Sequence, residues 1–145
     1  MSYTFGATST KRLMTCDQRL VAVFNRVIET VDCGIICGVR SSDEQAKAYE
    51  LGHTQVQWPH SKHNIRYPEH KSRAVDALPY HPDRPHYHWG DHEGTWAFAQ
   101  FVLATAEEMG IELISGCDWN SNGRPTYLDQ EETFFDGPHY ELVGD

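Results

Sequence analysis

The chain has 145 residues, and 12 Lys+Arg against 21 Asp+Glu give a formal net charge of −9. That length is one ordinary domain that can bury a core without disulfide or metal staples, and the acidic balance excludes nucleic acid and anionic membrane as main partners, because both recruit clustered Lys and Arg. No apolar run approaches the roughly 18 residues that cross a bilayer, and MSYTFGATSTKR lacks a basic stretch followed by an apolar one, so no secretory signal is read.

In chain order, Thr15 with Gln18 reads as a capping box opening a helix over 15–31, where Leu20, Phe24, Val27, Ile28 and Val31 recur at helical spacing. Cys16, Cys33, Cys37 and Cys117 form no CxxC pair and read as reduced, small apolar residues of a cytoplasmic protein. The apolar run CGIICGV (33–39) suits a buried strand. Ser42 with Gln45 then opens a second helix to about Leu51, stopped by Gly52.

Residues 53–71 read as loop, and Ala74–Tyr80 alternates as a strand ended by Pro79. After a His/Pro-rich loop (81–93), residues 95–109 predict a helix with Trp96, Ala99, Val102, Leu103 and Ala106 on one stripe and Gly110 as its stop. Ile111–Ile114 reads as a strand, 116–133 as a polar loop and His139–Val143 as a closing strand. The best strand pairings are antiparallel and the chain has no repeat or linker. An α+β fold follows: one domain, a small mostly antiparallel sheet, flanking helices and a long loop at the site.

Three stretches carry chemistry: Ser61-Lys62-His63-Asn64 with Ser72-Arg73-Ala74-Val75-Asp76 downstream, Asp136-Gly137-Pro138-His139-Tyr140-Glu141-Leu142, and Gly38-Val39-Arg40-Ser41. His63, Asp76 and His139 supply two imidazoles and a carboxylate, the donor types of a catalytic zinc site that leaves its fourth position to water. Asp136 precedes His139 across a Gly-Pro turn that can bring a second carboxylate alongside without ligation, as a general base needs. Taken singly, each has a plainer reading: a solvated loop histidine, a strand-end cap, a satisfied core histidine.

Together, SKHN…SRAVD and DGPHYEL resemble the SxH…AxD and (D/E)xxH signatures of the zinc D,L-peptidases of peptidoglycan. That group includes phage L-alanyl-D-glutamate endolysins and D-alanyl-D-alanine dipeptidases and carboxypeptidases. GVRSSDEQAKAYELG (38–52) resembles the family's Arg-bearing strand and following helix, and residues 116–142 are most like the phage branch. The resemblance implies His63, Asp76 and His139 as zinc ligands, Asp136 as catalytic base and Arg40 as transition-state stabiliser. A salt bridge from Arg40 to Asp43 or Glu44 is the structural alternative.

His63 and Asp76 are 13 residues apart, wider than the family's usual spacing, and His70 competes as first ligand. Ser61, two before His63, favours His63. The implied activity is cleavage of peptidoglycan stem peptides, most simply as an L-alanyl-D-glutamate endopeptidase used by a phage for host lysis. A monomer is expected, and the lack of a readable signal peptide fits a protein that accumulates in the host cytoplasm. The alternatives are a D-alanyl-D-alanine carboxypeptidase or dipeptidase, and a non-catalytic metal or wall-binding module.

Residues 118–129 also match a calcium loop of EF-hand type, with Asp118, Asn120 and Asn122 at positions 1, 3 and 5, Gly123 at 6 and Asp129 at 12. Asp129 is short for a bidentate closing ligand and Pro125 is unusual, so a polar Asn-Gly turn is the rival reading. His88 and His92 have i, i+4 spacing, but Pro82, Pro85 and Gly90 argue against a helix there, and His81, His86, His88 and His92 read as surface loop residues. Trp58, Trp89, Trp119 and Tyr140 either line a cleft or pack.

Overall fold

The structure is a computed structural model that describes residues 3–58, 60–64, 71–80, 91–125, 128 and 136–144. Its helices are α1 (Ala7–Leu13), α2 (Gln18–Ile28), α3 (Ser42–Glu50) and α4 (His92–Glu108). The strands are β1 (Cys33–Cys37), β2 (Ala74–Pro79), β3 (Leu113–Ser115) and β4 (His139–Leu142), in the order β1-β2-β4-β3 with every pairing antiparallel. The α+β expectation holds. No helix among the described residues is long and apolar enough to cross a membrane.

Alternation along the strands divides the sheet into two faces. Val75 pairs with Tyr140 on the core face, where the Tyr140 ring sits edge-on to Phe24 of α2 and Phe98 of α4, with centroids 5.6 and 6.4 Å away. Asp76 pairs with His139 on the other face. Tyr140 is therefore a packing residue, fully buried, and its hydroxyl has no hydrogen-bond partner among the described residues. Residues one step apart on β2 and β4 thus serve the core and the site.

Helix starts differ from the predicted ones by a few residues, each for a capping reason. Thr15 and Gln18 form no box: Asp17 caps α2 by accepting from Arg19 N–H, while the Thr15 hydroxyl donates to Arg12 O and accepts from Val39 N–H. The capping box of α3 is Ser41 with Glu44, one residue before Ser42 and Gln45, and it frees Gln45 to turn inward, where it is fully buried. Asp91 caps α4, so that helix begins at His92.

The buried stripe of α4 carries Thr95, Phe98, Ala99, Val102, Thr105 and Ala106, with Trp96 and Leu103 only half-buried, because the helix packs on α2 and the sheet together. The short α1, unpredicted from sequence, packs on β1. β1 ends at Cys37 rather than residue 39, and β3 starts at Leu113 rather than Ile111.

Candidate active site

The row Asp76–His139 is laid down by strand register, and His63 reaches it from a turn. That turn is closed by Asn64 N–H to Ser61 O, Ser61 N–H to the Asn64 side-chain oxygen and His63 N–H to the Ser61 hydroxyl. Arg40 N–H then bonds His63 O at 2.8 Å, and Arg73 N–H bonds Lys62 O at 2.8 Å, tying the turn to the ends of β1 and β2. Ser61, the residue that favoured His63 in the sequence, thus shapes the turn that delivers it.

His63 Nε2, Asp76 Oδ1 and His139 Nδ1 form a triangle with sides of 3.1, 3.1 and 3.3 Å. The far nitrogens fix the tautomers. His63 Nδ1 lies 2.8 Å from Gly38 O, and a carbonyl only accepts, so Nδ1 carries the hydrogen. His139 Nε2 lies 2.8 Å from Glu141 Oε1 and donates to that carboxylate in the same way. Two imidazole lone pairs and a carboxylate oxygen therefore face one another, an arrangement that needs a proton or a cation at its centre. Two nitrogens and an oxygen around tetrahedral zinc would be spaced by about 3.3 Å, so the donor set fits such an ion.

Cys37, His63 and Asp76 also form a group that can hold a metal ion, their donor atoms lying within 4.8 Å of one another. A register irregularity between Ile35 and Cys37 brings Cys37 opposite Asp76, on the site face. His139 Nδ1 lies 3.1 and 3.3 Å from His63 Nε2 and Asp76 Oδ1, and burial and then the Asp76 charge push the Cys37 thiol up to about 11, which favours the neutral form. Cys37 is more than the small apolar residue its sequence context suggests, and the irregularity that turns it has no sequence signal. None of the four cysteines is in a disulfide.

Asp136 Oδ2 stands 4.0 Å from His139 Nδ1, outside the triangle, at the head of the turn closed by His139 N–H to Asp136 O. Burial, and then the nearby Asp76 charge, push its pKa up to about 7. For Asp76 burial acts upward, but the His63 charge and hydrogen bonds from both imidazoles outweigh it and hold the carboxyl well below its usual range. Burial acts downward on His139, and hydrogen bonds to Asp76 and Glu141 overturn it, raising the ring to about 10. A cation entering the triangle would displace that proton.

Asp136 is seated by Gly116: Asp136 N–H bonds Gly116 O at 3.0 Å, and Gly116 N–H bonds His139 O at 2.7 Å. A Cβ on Gly116 would collide with the Asp136 carbonyl oxygen, and one on Gly38 would collide with Thr15 and Arg12 O beneath the carbonyl that orients His63. Both glycines are required by close approach.

Arg40 pairs with neither Asp43 nor Glu44 among the described contacts. Its Nη2 lies 3.4 Å from Asp76 Oδ2 and its Nη1 donates to Gln45 Oε1 at 2.9 Å. Gln45 Nε2 in turn donates to Val56 O, fixing the segment after α3. Lys62 pairs with Glu141 at 3.2 Å. Gln45, Lys62 and Glu141 were missed as supporting residues. Only Glu141 had a signal, standing two residues after His139 and so on the same strand face.

The other predicted positions separate. Asp118 is buried, and its two carboxylate oxygens accept from Asn122 N–H and Gly123 N–H at 3.1 and 2.9 Å. Asn120 and Asn122 likewise accept backbone amides of the same loop. Trp119 from this loop packs on the His139 ring, with centroids 5.2 Å apart. Asp129, His70, His81, His86, His88 and Trp89 lie outside the described residues. Trp58 is exposed, while His53 and His92 line a cleft of about 750 Å³ shared with Arg40, Asp76 and Asp136.

Paired imidazoles, a carboxylate at their centre and a second carboxylate beside them, opening on a cleft, are the equipment of a hydrolase. The chain belongs to the phage L-alanyl-D-glutamate peptidase family, whose pattern matches residues 1–143. It is 32% identical over 146 residues to the L-alanyl-D-glutamate peptidase of Escherichia phage T5, covering 99% of this chain and 100% of that one. The crystal structure of the L-Ala D-Glu endopeptidase ChiX of Serratia marcescens shares the fold, with a TM-score of 0.65 and 22% identity over 97% of this chain and 90% of that one.

Proposed function

We propose that this protein is a zinc-dependent endopeptidase that hydrolyses the bond between L-alanine and D-glutamate in peptidoglycan stem peptides, and that it serves a phage as an endolysin. The observation that carries the reading is the convergence of His63 Nε2, Asp76 Oδ1 and His139 Nδ1 on one point, with Asp136 outside the triangle. Those three residues would hold the ion and leave a fourth position open. Zinc bound there supplies Lewis acidity towards the scissile carbonyl and acidifies water.

The chain's own groups do the rest. Asp136 accepts a proton from the attacking water and returns it to the leaving amine nitrogen. Arg40 sets a fixed positive charge beside Asp76, where negative charge develops on the carbonyl oxygen, and Gln45 prevents the guanidinium from swinging away. Gly38 O and Glu141 keep the imidazoles in the tautomers that present Nε2 and Nδ1.

The reading includes a single catalytic domain acting as a monomer on the wall, after accumulating in the host cell until another protein opens the membrane. It also includes a weak calcium site on the loop from Asp118 through Asn120 and Asn122 to Asp129, supported by side-chain oxygens gathered on one short stretch of backbone.

Digestion of purified muropeptides, read by mass spectrometry, tests the bond. Products ending in L-alanine and products beginning with D-glutamate are expected. Free D-alanine or its dipeptide would instead assign a carboxypeptidase or dipeptidase. Equal rates of wall lysis by wild type and Asp136→Ala would remove Asp136 as the base, and no lysis by the zinc-loaded wild type would leave only a binding module. Zinc content of His63→Ala against His70→Ala identifies the first ligand.

A further inference from the structure

We propose that Lys47 recognises the free carboxylate of the D-glutamate on the leaving side of the scissile bond. The inference rests on the peptidase reading above. Glutamate has two carboxyl groups and a stem peptide continues through one of them. The other stays free, within a few bonds of the nitrogen that Asp136 must protonate. A site for this bond therefore has to place an anion next to its own carboxylates, Asp76 and Asp136, and needs a cation to do so.

The cleft is walled on one side by α3 and its C-cap, with Glu44, Lys47 and Ala48 from the helix and Leu51 from the cap. These are positions i, i+3, i+4 and i+7, a single helical face, so the whole stripe belongs to the cleft. Among the described residues, two fixed cations line it, Arg40 and Lys47. Arg40 is already committed to Asp76 Oδ2 and Gln45 Oε1. Lys47 makes no side-chain hydrogen bond or ion pair among the described residues.

Glu44, the acid one turn earlier, does not neutralise Lys47. Its Oε1 accepts from Ser41 N–H at 3.0 Å in the capping box, which holds its charge at the helix start. Ala48 and Leu51 line the same wall of the cleft with apolar surface, and Lys47 itself is exposed and open to an incoming carboxylate. Lys47 is thereby a specificity residue: it reads the substrate's charge and leaves the proton transfers to Asp136.

The test uses the full chain, loaded with zinc, and two synthetic muropeptides that differ only in whether the free D-glutamate carboxyl is a carboxylate or its amide. Wild type is expected to prefer the carboxylate by roughly ten- to hundredfold in kcat/KM, chiefly through KM. Lys47→Gln is expected to cut both at similar rates, and Lys47→Arg to restore most of the preference. A full preference surviving in Lys47→Gln would overturn the proposal, as would a wild type that cuts both peptides equally between L-alanine and D-glutamate. Cleavage at another bond, or at none, would overturn the peptidase reading and this inference with it.

Discussion

The triangle of His63, Asp76 and His139 offers two imidazole nitrogens and a carboxylate oxygen, the loop that starts at Asp118 offers oxygens alone, and both have metal-site spacing in sequence. They differ in how the donors are used. In the triangle the second atoms, His63 Nδ1 and His139 Nε2, are bonded to Gly38 O and Glu141, and the first atoms are left facing one another. In the loop the donor atoms are themselves engaged, since both Asp118 oxygens already accept backbone N–H groups. The strand row is prepared for a cation before one arrives, whereas the loop would have to exchange bonds it has.

The largest test of this contrast is at Asp136. Asp136→Asn should lower the rate of wall lysis by about a thousandfold while leaving zinc content unchanged, and His139→Ala should lose the zinc. Elemental analysis beside a turbidity assay separates the two, and lysis by Asp136→Asn within twofold of wild type would refute the assignment. Next comes Gly116→Ala. Pushing the Asp136 carbonyl aside should cost about a hundredfold in kcat and about 1–3 kcal/mol in urea unfolding. Wild-type kinetics in that variant would mean that the Asp136 backbone is not what seats the base.

The contrast also predicts stabilities with a chelator present. Asp118→Ala removes an acceptor of two backbone amides and should destabilise the apo chain by about 1–2 kcal/mol. Asp136→Asn should unfold no earlier than wild type, since burial beside Asp76 works against its charge. In calorimetry, equal calcium heats for wild type and Asp118→Ala would remove the calcium reading.

The smallest effect belongs to Asp17, another carboxylate engaged by backbone. The Arg19 side chain is the main cause that holds its pKa below the ordinary value, against opposition from burial. The stabilisation is therefore present above the ordinary value, about pH 4, and is lost as pH falls through the lower folded value. Asp17→Asn should lower stability by about 0.5 kcal/mol at pH 7, a modest figure because the pair is partly exposed. Thermal melts of the two proteins should converge towards pH 2, and a gap that persists there would contradict the linkage.

Much of this was legible because short-range patterns carry it. Alternation in AVDALP marked β2, and the Gly-Pro turn joins Asp136 to His139, with Asp136 Oδ2 4.0 Å from His139 Nδ1. Ser61 pointed to His63 through a turn hydrogen bond that spans two residues. Gln45 was read as part of a capping box because one residue of slip separates Ser42 from Ser41, and local patterns tolerate such a slip. Its real place, buried between Arg40, Asn64 and Val56, depends on three separate segments meeting.

The sequence by itself determined the inventory: the donors, the acidic balance, the α+β order of elements and the candidate base. Those follow from residue chemistry and from periodicities of two and 3.6, which are properties of a single segment. Tertiary structure decided which donor atoms are free. The tautomers of His63 and His139, the turning of Cys37 towards Asp76 and the placing of the Lys47 face of α3 in the cleft each depend on contacts between segments far apart in the chain. Hydrogen bonding at one nitrogen sets what the other can do, and only the packed chain supplies the first partner.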